Sequence, residues 1–427
     1  MEDIQEKEKK EKEYQLIINI KIWGIEKEGL YDFTTAKPIK QFNYSVDRNC
    51  YYFQNIEFNK IRSEEQNSSI KEELEVILFY VRKSIKKTKK FEIINPVRKF
   101  MKRNDNNIFN LNKRIWYIIR SDKSTFYQYE NEDYELNEND IIKFGRKKYE
   151  VIKKNINRPS IKSQDNSKDK YNISNINLEI GPIFNIDLKP FQYNYTDTSF
   201  NTKIHLKETV KESYIEEEEE KIKCCRVCYN SNCSKENPKI RLCSCNDYIH
   251  YECLKKYLSI KLEIFENSDL NVKTYVCQKF NCDVCLCPYP LRFRIPELNK
   301  IYYLMDINVP SELDYIILES LDYIKLNKNL KIVHIVQLTK DIINIGRAKD
   351  NDIIDFDISV SRNHAYLNFN KETGKLILRN KNGKFGTLVL VKGNIKMKES
   401  IINFQVGNTC ISSYLEEKGE STEESTN

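Results

Sequence analysis

Cysteine spacing constrains this chain more than any other feature. Of its 13 cysteines only Cys50 and Cys410 lie outside the stretch from Cys224 to Cys287. Disulfides would need an oxidising compartment. The first residues, MEDIQEKEKKEKEY, are charged and contain no apolar stretch of the kind that directs export. The expected location is therefore cytoplasmic or nuclear, not secreted, and a tight thiol cluster there points to metal. The ligands fall into four pairs: Cys225-Arg-Val-Cys228, Cys243-Ser-Cys245, His250-Tyr-Glu-Cys253 and Cys282-Asp-Val-Cys285. A pair spaced by one or two residues lets a tight turn aim two side chains at one ion. Four such pairs make two tetrahedral sites, which suits two zinc ions. So small a segment has little apolar bulk, and metal binding would drive its folding. Cys224 can stand in for Cys225, and Cys287 for Cys282. The simplest reading of Cys224, Cys233, Cys277 and Cys287 is four ordinary thiols.

The remainder of the chain reads as mainly β. Residues 1–13 form a charged tail. Over 14–154, Ile18, Ile20 and Ile22 alternate with Asn19 and Lys21, as in a half-buried strand. EVILFYVR (75–82) and IWYIIR (115–120) have strand length. Residues 155–222 form a polar linker that ends in the acid run Glu216–Glu220. The cysteine module spans 223–298, a strand-rich domain spans 310–415, and 416–427 is a polar tail expected to be disordered. YELNENDIIKFGRKKYEVI (134–152) and IKMKESIINFQVGNTCI (395–411) share one closing-hairpin rhythm, and WYII (116–119) echoes YIIL (315–318). The N-terminal domain is then a degenerate copy of the C-terminal one, or else the likeness is chance.

Charge and hydropathy exclude little and suggest no further partner. A net charge of +7 from 70 basic and 63 acidic side chains is a weak bias. Runs such as Lys86-Lys87-Thr88-Lys89-Lys90 read as solvated surface, so no specific nucleic acid is expected. No stretch of 18 apolar residues occurs, so no membrane span is expected. Neither a nucleotide-binding glycine loop nor a nucleophile elbow or kinase signature is present, and no catalytic residue is assigned.

The C-terminal segment from about Tyr315 to Ile411 alternates short strands with polar turns, the rhythm of a β-sandwich. Its loops carry Gly346-Arg347, then Asp352 to Asp357, then Ser361-Arg362-Asn363-His364, then Lys384-Phe385-Gly386-Thr387. In this order they resemble the forkhead-associated, or FHA, family. A phosphothreonine has about −1.5 to −2 charges and three acceptor oxygens, and the planar fork of Arg347 matches them. The resemblance implies that Arg347 and Ser361 bind phosphate in a phosphothreonine-containing protein, with Arg362, Lys384 and Phe385 beside them. It gives Gly346, His364 and Gly386 structural roles, with His364 neutral and bracing the loop. Gly346 is expected to allow a tight turn. Phe385 stands where the family usually has Asn, and Asn382 lies three residues earlier, so peptide selectivity is expected to differ.

The cysteine module, with its segment YIHYECLKKYL (248–258), resembles the RING-CH, or RING-variant, family over residues 224–290. That likeness implies cross-bracing: Cys225, Cys228, His250 and Cys253 on one zinc, and Cys243, Cys245, Cys282 and Cys285 on the other. It also implies ubiquitin ligation by docking a ubiquitin-conjugating enzyme, with Val227 and Pro288 as contacts, so that catalysis is by proximity. The Cys245–His250 gap is shorter and the Cys253–Cys282 gap longer than the family pattern. Tyr257 replaces a usual Trp, and Leu286 replaces a common basic residue. PHD fingers share the ligand order, and Phe280 fits their aromatic position. The fold expected is thus multidomain and mainly β: an FHA-type sandwich, a small cross-braced two-zinc α+β module and a β-rich N-terminal domain. Two functions follow, a phosphorylation-dependent ubiquitin ligase or a non-catalytic adaptor. Self-occupancy by phosphorylated Thr196, Thr198, Thr202 or Thr209 is a third.

Overall fold

A computed structural model describes residues 13–22, 30, 38–54, 59–63, 76–83, 91–94, 115–119, 133–156 and 224–418, with short interruptions at 244, 246, 268–270, 296–297, 299, 310–312, 322–329, 382 and 408. Lys86–Lys90, Glu216–Glu220, the linker threonines and Asn382 lie outside the described residues. Among the described residues, twenty-six strands and one helix make the protein mainly β. Among the described residues no helix is long and apolar enough to cross a membrane.

The chain forms two compact units, and each is built from segments far apart in sequence. The first comprises residues 1–132, 144–146 and 380–427; the second comprises 133–143 and 147–379.

In the first unit, the strand Tyr14–Ile22 buries every second side chain, as its alternation requires. It pairs antiparallel with Lys40–Val46 on one side and with Thr409–Glu417 on the other. Gln15 Nε2 thereby donates to Glu416 Oε2 at 3.0 Å, across 401 positions of sequence. Thr409–Glu417 in turn pairs with Ile402–Val406, which pairs with Ile115–Ile119. A second sheet runs Asn59–Ser63, Cys50–Gln54, Val76–Lys83, Phe91–Ile94, Ile395–Lys396. Leu16, Ile18, Ile20, Phe79, Val81, Ile93, Phe404 and Ile411 meet in one core.

The second unit repeats this plan. Lys331–Gln337, Tyr315–Ser320, Lys147–Asn155 and Ile141–Phe144 are successive neighbours in one sheet. Their order matches Lys40–Val46, Tyr14–Ile22, Thr409–Glu417 and Ile402–Val406 in the first unit. The second sheets match as well: Ile353–Ile354, Ile342–Gly346, Ala365–Asn370, Lys375–Asn380 and Tyr134–Glu135 follow the same sequence of positions. The two hairpins of similar rhythm therefore sit in equivalent places, but each closes the unit distant from it in sequence. The hairpin at 134–152 pairs with Tyr315–Ser320, and that at 395–411 joins Tyr14–Ile22.

The long Cys253–Cys282 gap has a structural use. It takes in most of the helix Tyr251–Ser259, the one helix among the described residues, and then a hairpin of Leu262–Asn267 and Val272–Cys277. Val272–Cys277 adds to Lys331–Gln337 in six-residue antiparallel register. The cysteine module and the sandwich thus share one sheet. They also share one core, which runs from Leu242, Tyr251 and Leu254 through Phe293 and Tyr302 to Ile317, Val333 and Ile335.

A fragment of residues 310–415 lacks Lys147–Asn155 and leaves the Tyr315–Ser320 strand without a neighbour on that side. It is expected to show no cooperative thermal transition by circular dichroism, whereas the full chain shows one. A sharp transition for the fragment alone would overturn this assembly.

Candidate functional site: a phosphate loop and paired cysteine clusters

The phosphate loop is built at the end of the strand Ile342–Gly346. The next segment returns beside it, so that Arg347 N donates to Ser361 O at 3.0 Å and Ala348 N to Arg362 O at 3.1 Å. Gly346 is needed for this approach: a Cβ there would lie 2.2 Å from Arg362 O. The expected reason was a tight turn. The structure assigns a different one, since the backbone of Gly346 is not left-handed. His364 is fully buried, and its Nδ1 accepts from Ser361 N at 3.1 Å, so the imidazole braces the loop and must be unprotonated at Nδ1. Arg347 is half-buried. Its Nε donates to Val360 O at 3.3 Å, which orients the guanidinium, and among the described residues its two terminal nitrogens bond to no other group. Arg362 is exposed.

Three supports escaped sequence reading. Asn351 is buried, and its Nδ2 donates to both Ala348 O and Arg362 O at 2.8 Å, tying the two sides together. Asp355 Oδ1 accepts from Asp357 N at 2.9 Å, and Asp355 Oδ2 accepts from Tyr149 OH at 2.6 Å. Tyr149 is 206 positions away. An Asx-turn residue after a strand is a recognisable local signal for Asp355 and Asp357; nothing local marks Tyr149.

Lys384, Phe385 and Gly386 belong to the first unit. There they form a turn in which Gly386 N donates to Gly383 O at 2.9 Å, and Gly386 takes a left-handed φ of 68°. Lys384 is exposed, with Nζ 5.5 Å from the Phe385 ring centre. The next residue, Thr387, is buried and donates to Asn380 Oδ1 at 2.8 Å.

The cysteine module gathers two ligand sets. Cys225, Cys228, His250 and Cys253 form one, and Cys243, Cys245, Cys282 and Cys285 form the other, with donor atoms within 4.8 Å of one another. Each set can hold a metal ion. The first pair uses Cys225, while Cys224 is exposed; the last uses Cys282, with Cys287 outside the set. Pairs one and three share a site, as do pairs two and four. Both CxxC pairs close alike: Tyr229 N donates to Cys225 O at 2.8 Å, and Leu286 N donates to Cys282 O at 3.0 Å. Tyr229 and Leu286 are both left-handed, at φ 58° and 57°. A non-glycine residue in that region costs about 1–2 kcal/mol, and the repeated knuckle accounts for both.

The geometry suits a tetrahedral ion. Cys245 and Cys282 sulfurs lie 3.8 Å apart, about the tetrahedral edge for Zn–S bonds of roughly 2.3 Å. His250 Nδ1 lies 3.2 Å from Cys228 Sγ and 3.9 Å from Cys253 Sγ. Its Nε2 donates to Asn232 O at 2.5 Å, which leaves Nδ1 as the ligand atom. Because the ring is so engaged it does not cap the helix it begins; Asn237 Oδ1 accepts from Glu252 N at 3.0 Å instead.

Arg226, within the first pair, reaches the second site. Its guanidinium donates to Cys282 Sγ at 3.5 Å and to Tyr289 OH at 3.2 Å. A hydrogen bond from Cys243 lowers the pKa of the Cys282 thiol, against its burial, with help from the Cys285 and Val284 amides and Arg226. Burial pushes Cys225 up, yet amides of Cys228, His250 and Val227 bring it down to about 6. Cys277, by contrast, is buried and pushed up to about 11, as suits a packing thiol. Tyr257, the residue in place of Trp, bonds through its OH to Asp283 and Lys261.

The hairpin that joins the module to the sandwich carries Thr274, whose Oγ1 lies 2.9 Å from His334 Nδ1. His334 is fully buried, its ring 5.6 Å from that of Tyr149. Desolvation, opposed by Asp355 and aided by Lys147, pushes it down to about 4.

A family model of the FHA domain matches residues 343–401. The chain carries an FHA β-sandwich, and FHA domains bind phosphothreonine-containing proteins. A search of curated proteins finds no match.

Elemental analysis of the purified chain is expected to give two zinc ions per molecule, and about one in Cys282→Ser; a metal-free wild-type protein that still unfolds cooperatively would overturn the metal reading. His334 makes a second expectation. The unfolded side chain takes a proton near pH 6.5 and the folded one only near 4. Its neutral burial therefore favours the fold fully above about pH 6.5, and roughly 3 kcal/mol is lost as pH falls toward 4. Urea midpoints measured from pH 7.5 to 4.5 should fall less steeply in His334→Phe than in wild type. Equal slopes would refute this.

Proposed function

We propose that this protein recognises phosphothreonine through Arg347 and Ser361 and presents the bound partner to a ubiquitin-conjugating enzyme docked on a two-zinc, RING-variant module. The observation that carries the first half is the braced loop. His364, Asn351 and Gly346 hold the Arg347 and Ser361 backbones together, and Arg347 keeps two nitrogens for phosphate. Preorganised, charge-assisted donors of this kind bind an anion without paying to order the site first.

The second half rests on cross-braced ligand pairing and on apolar residues exposed on the two metal knuckles. Val227 is 46% exposed, Val284 70% and Leu286 56%. Solvent-facing aliphatic side chains on rigid turns suit a protein partner. Pro288 is half-buried and bridges to Asn281, so it shapes the knuckle beside them. The module does no covalent chemistry in this reading; it supplies proximity. Zinc supplies the fold, with the thiolates and His250 as ligands. The shared sheet between hairpin and sandwich favours the same division of labour, because it fixes module and reader in one body. A reduced compartment, cytoplasm or nucleus, suits so many thiols.

The first unit reads as a degenerate copy of the second. Strand order is the same, but the chain's four histidines, His205, His250, His334 and His364, all lie outside that unit, so no Ser-x-x-His loop exists there.

With the full chain, Arg347→Ala is expected to weaken binding of a phosphothreonine peptide at least about tenfold, since hydrogen bonds to charged groups contribute roughly 1.5–3 kcal/mol. Fluorescence anisotropy reads this directly. Autoubiquitination with purified components should proceed in wild type and drop in Val227→Ala. Phosphopeptide binding with no ubiquitin transfer by any conjugating enzyme would leave an adaptor.

A further inference from the structure

The hairpin between Cys253 and Cys282 leaves one edge open. Its inner strand, Val272–Cys277, pairs with Lys331–Gln337 on one side and with Leu262–Asn267 on the other. Leu262–Asn267 ends that sheet, and among the described residues nothing pairs with its outer side. An edge strand presents unpaired N–H and C=O groups, which natural proteins blunt with bulges, prolines or charges, lysine above all. Here the segment LEIFEN contains neither Pro nor Lys. Its six-residue register with Val272–Cys277 runs without a shift, so no bulge turns it away. Its only charges are Glu263 and Glu266.

The edge is also apolar. Ile264 is 52% exposed and Phe265 55%. Successive side chains of a strand point to opposite faces, so each face of this edge carries one uncovered apolar side chain. Leu262 shares the face of Ile264 and lines a small cavity. Leu258, Phe280, Met305 and the Lys255–Asp306 ion pair are among its other walls, and there is room for one aliphatic side chain. Glu263 lies on the other face with Phe265. It is exposed and accepts from Gln278 Nε2 at 2.9 Å, and among the described residues no cation pairs with it. Glu266, by contrast, is paired with Lys273.

These features specify an occupant. A row of alternating backbone donors and acceptors is matched by another extended segment. Apolar side chains on that segment would cover Ile264 and Phe265, and a lysine or arginine would face Glu263. A second copy of this edge fits poorly. Antiparallel self-pairing centred between Ile264 and Phe265 sets Glu263 opposite Glu266, and like charges directly opposite are destabilising. The hairpin is already hydrogen-bonded into the sandwich sheet, so it need not be ordered to receive a guest.

We propose that Leu262–Asn267 is a strand-addition site for an extended, apolar segment of a partner protein that carries a basic residue against Glu263. One aliphatic side chain of that segment enters the cavity beside Leu262. The site takes no phosphate and uses neither Arg347 nor the metal knuckles, so it goes beyond the phosphothreonine reading and stands independently of it.

The probe is a short fluorescein-labelled peptide of alternating Val and Lys, read by anisotropy against the full chain. It is expected to bind about tenfold more tightly than a peptide of alternating Val and Glu, because an attractive cross-strand pair replaces a repulsive one. N-methylation of alternate residues, which removes backbone donors along one side, is expected to weaken binding at least about tenfold. The double variant Glu263→Lys with Glu266→Lys should reverse the preference between the two peptides, and that reversal also shows that the variant is folded. Ile264→Ser with Phe265→Ser should lose the Val/Lys peptide and keep the wild-type thermal transition. Outward-facing amides of residues 262–267 should exchange hydrogen rapidly in the free chain and at least about tenfold more slowly with saturating peptide. Equal binding of the N-methylated peptide, indifference to either double variant, or no binding of the Val/Lys peptide would overturn the proposal. Outward amides already protected in the free chain would overturn it too. Protection lost on dilution would assign the edge to a second copy, and protection that persists would assign it to another part of this chain. None of these failures touches the phosphate loop.

Discussion

The antiparallel ladder between Lys147–Asn155 and Tyr315–Ser320 is the interaction on which the second unit depends. Without it the first strand of the sandwich has an open edge, with a row of unpaired backbone groups. It also delivers Tyr149 to Asp355, and so reaches the phosphate loop itself. A register shift between Val151 and Lys153 shows that the ladder accommodates an irregularity and continues. Forming it means bringing together segments with the whole cysteine module between them. Such non-local pairing is entropically costly before it is stabilising. The first unit has the same requirement, since Tyr14–Ile22 needs Thr409–Glu417.

The second consequence concerns the cysteine module. A small metal-bound domain on a free linker would be positioned by linker length alone. Here Val272–Cys277 extends the sandwich sheet, and Tyr275 and Cys277 join the same core as Val333 and Ile335. The Thr274–His334 contact adds a polar tie at this seam. Ordering either part therefore helps to order the other. The metal knuckles and the phosphate loop lie within one compact unit and not on independent domains.

Within the two sites, rigidity comes from the backbone. In the phosphate loop, carbonyls of Ser361, Arg362 and Val360 receive donors from residues 347–351, and Gly346 yields the room. Around the metal ligands, amides follow each CxxC pair and the carbonyl of Asn232 sets the tautomer of His250. Both are ways of fixing side chains before a ligand arrives.

Much of this was legible in the sequence because its physics is local. Pairs of cysteines one or two residues apart announce shared ligation, alternation announces the strand at Ile18 to Ile22, and Gly346-Arg347 with Ser361 to His364 announces the loop. Even the likeness of the two hairpins was visible. Local patterns carry no address, however. Which sandwich each hairpin closes is decided by long-range packing of apolar faces, and both hairpins present the same alternation. The use of Tyr149, Asn351 and Thr274, the reason for Gly346, and the choice of Cys225 over its neighbour arise only when distant backbones come within hydrogen-bonding reach. Residue types and spacings determined what chemistry this chain can do; tertiary structure decided which segments meet to do it, because those contacts are set by burial over hundreds of positions and not by neighbours in sequence.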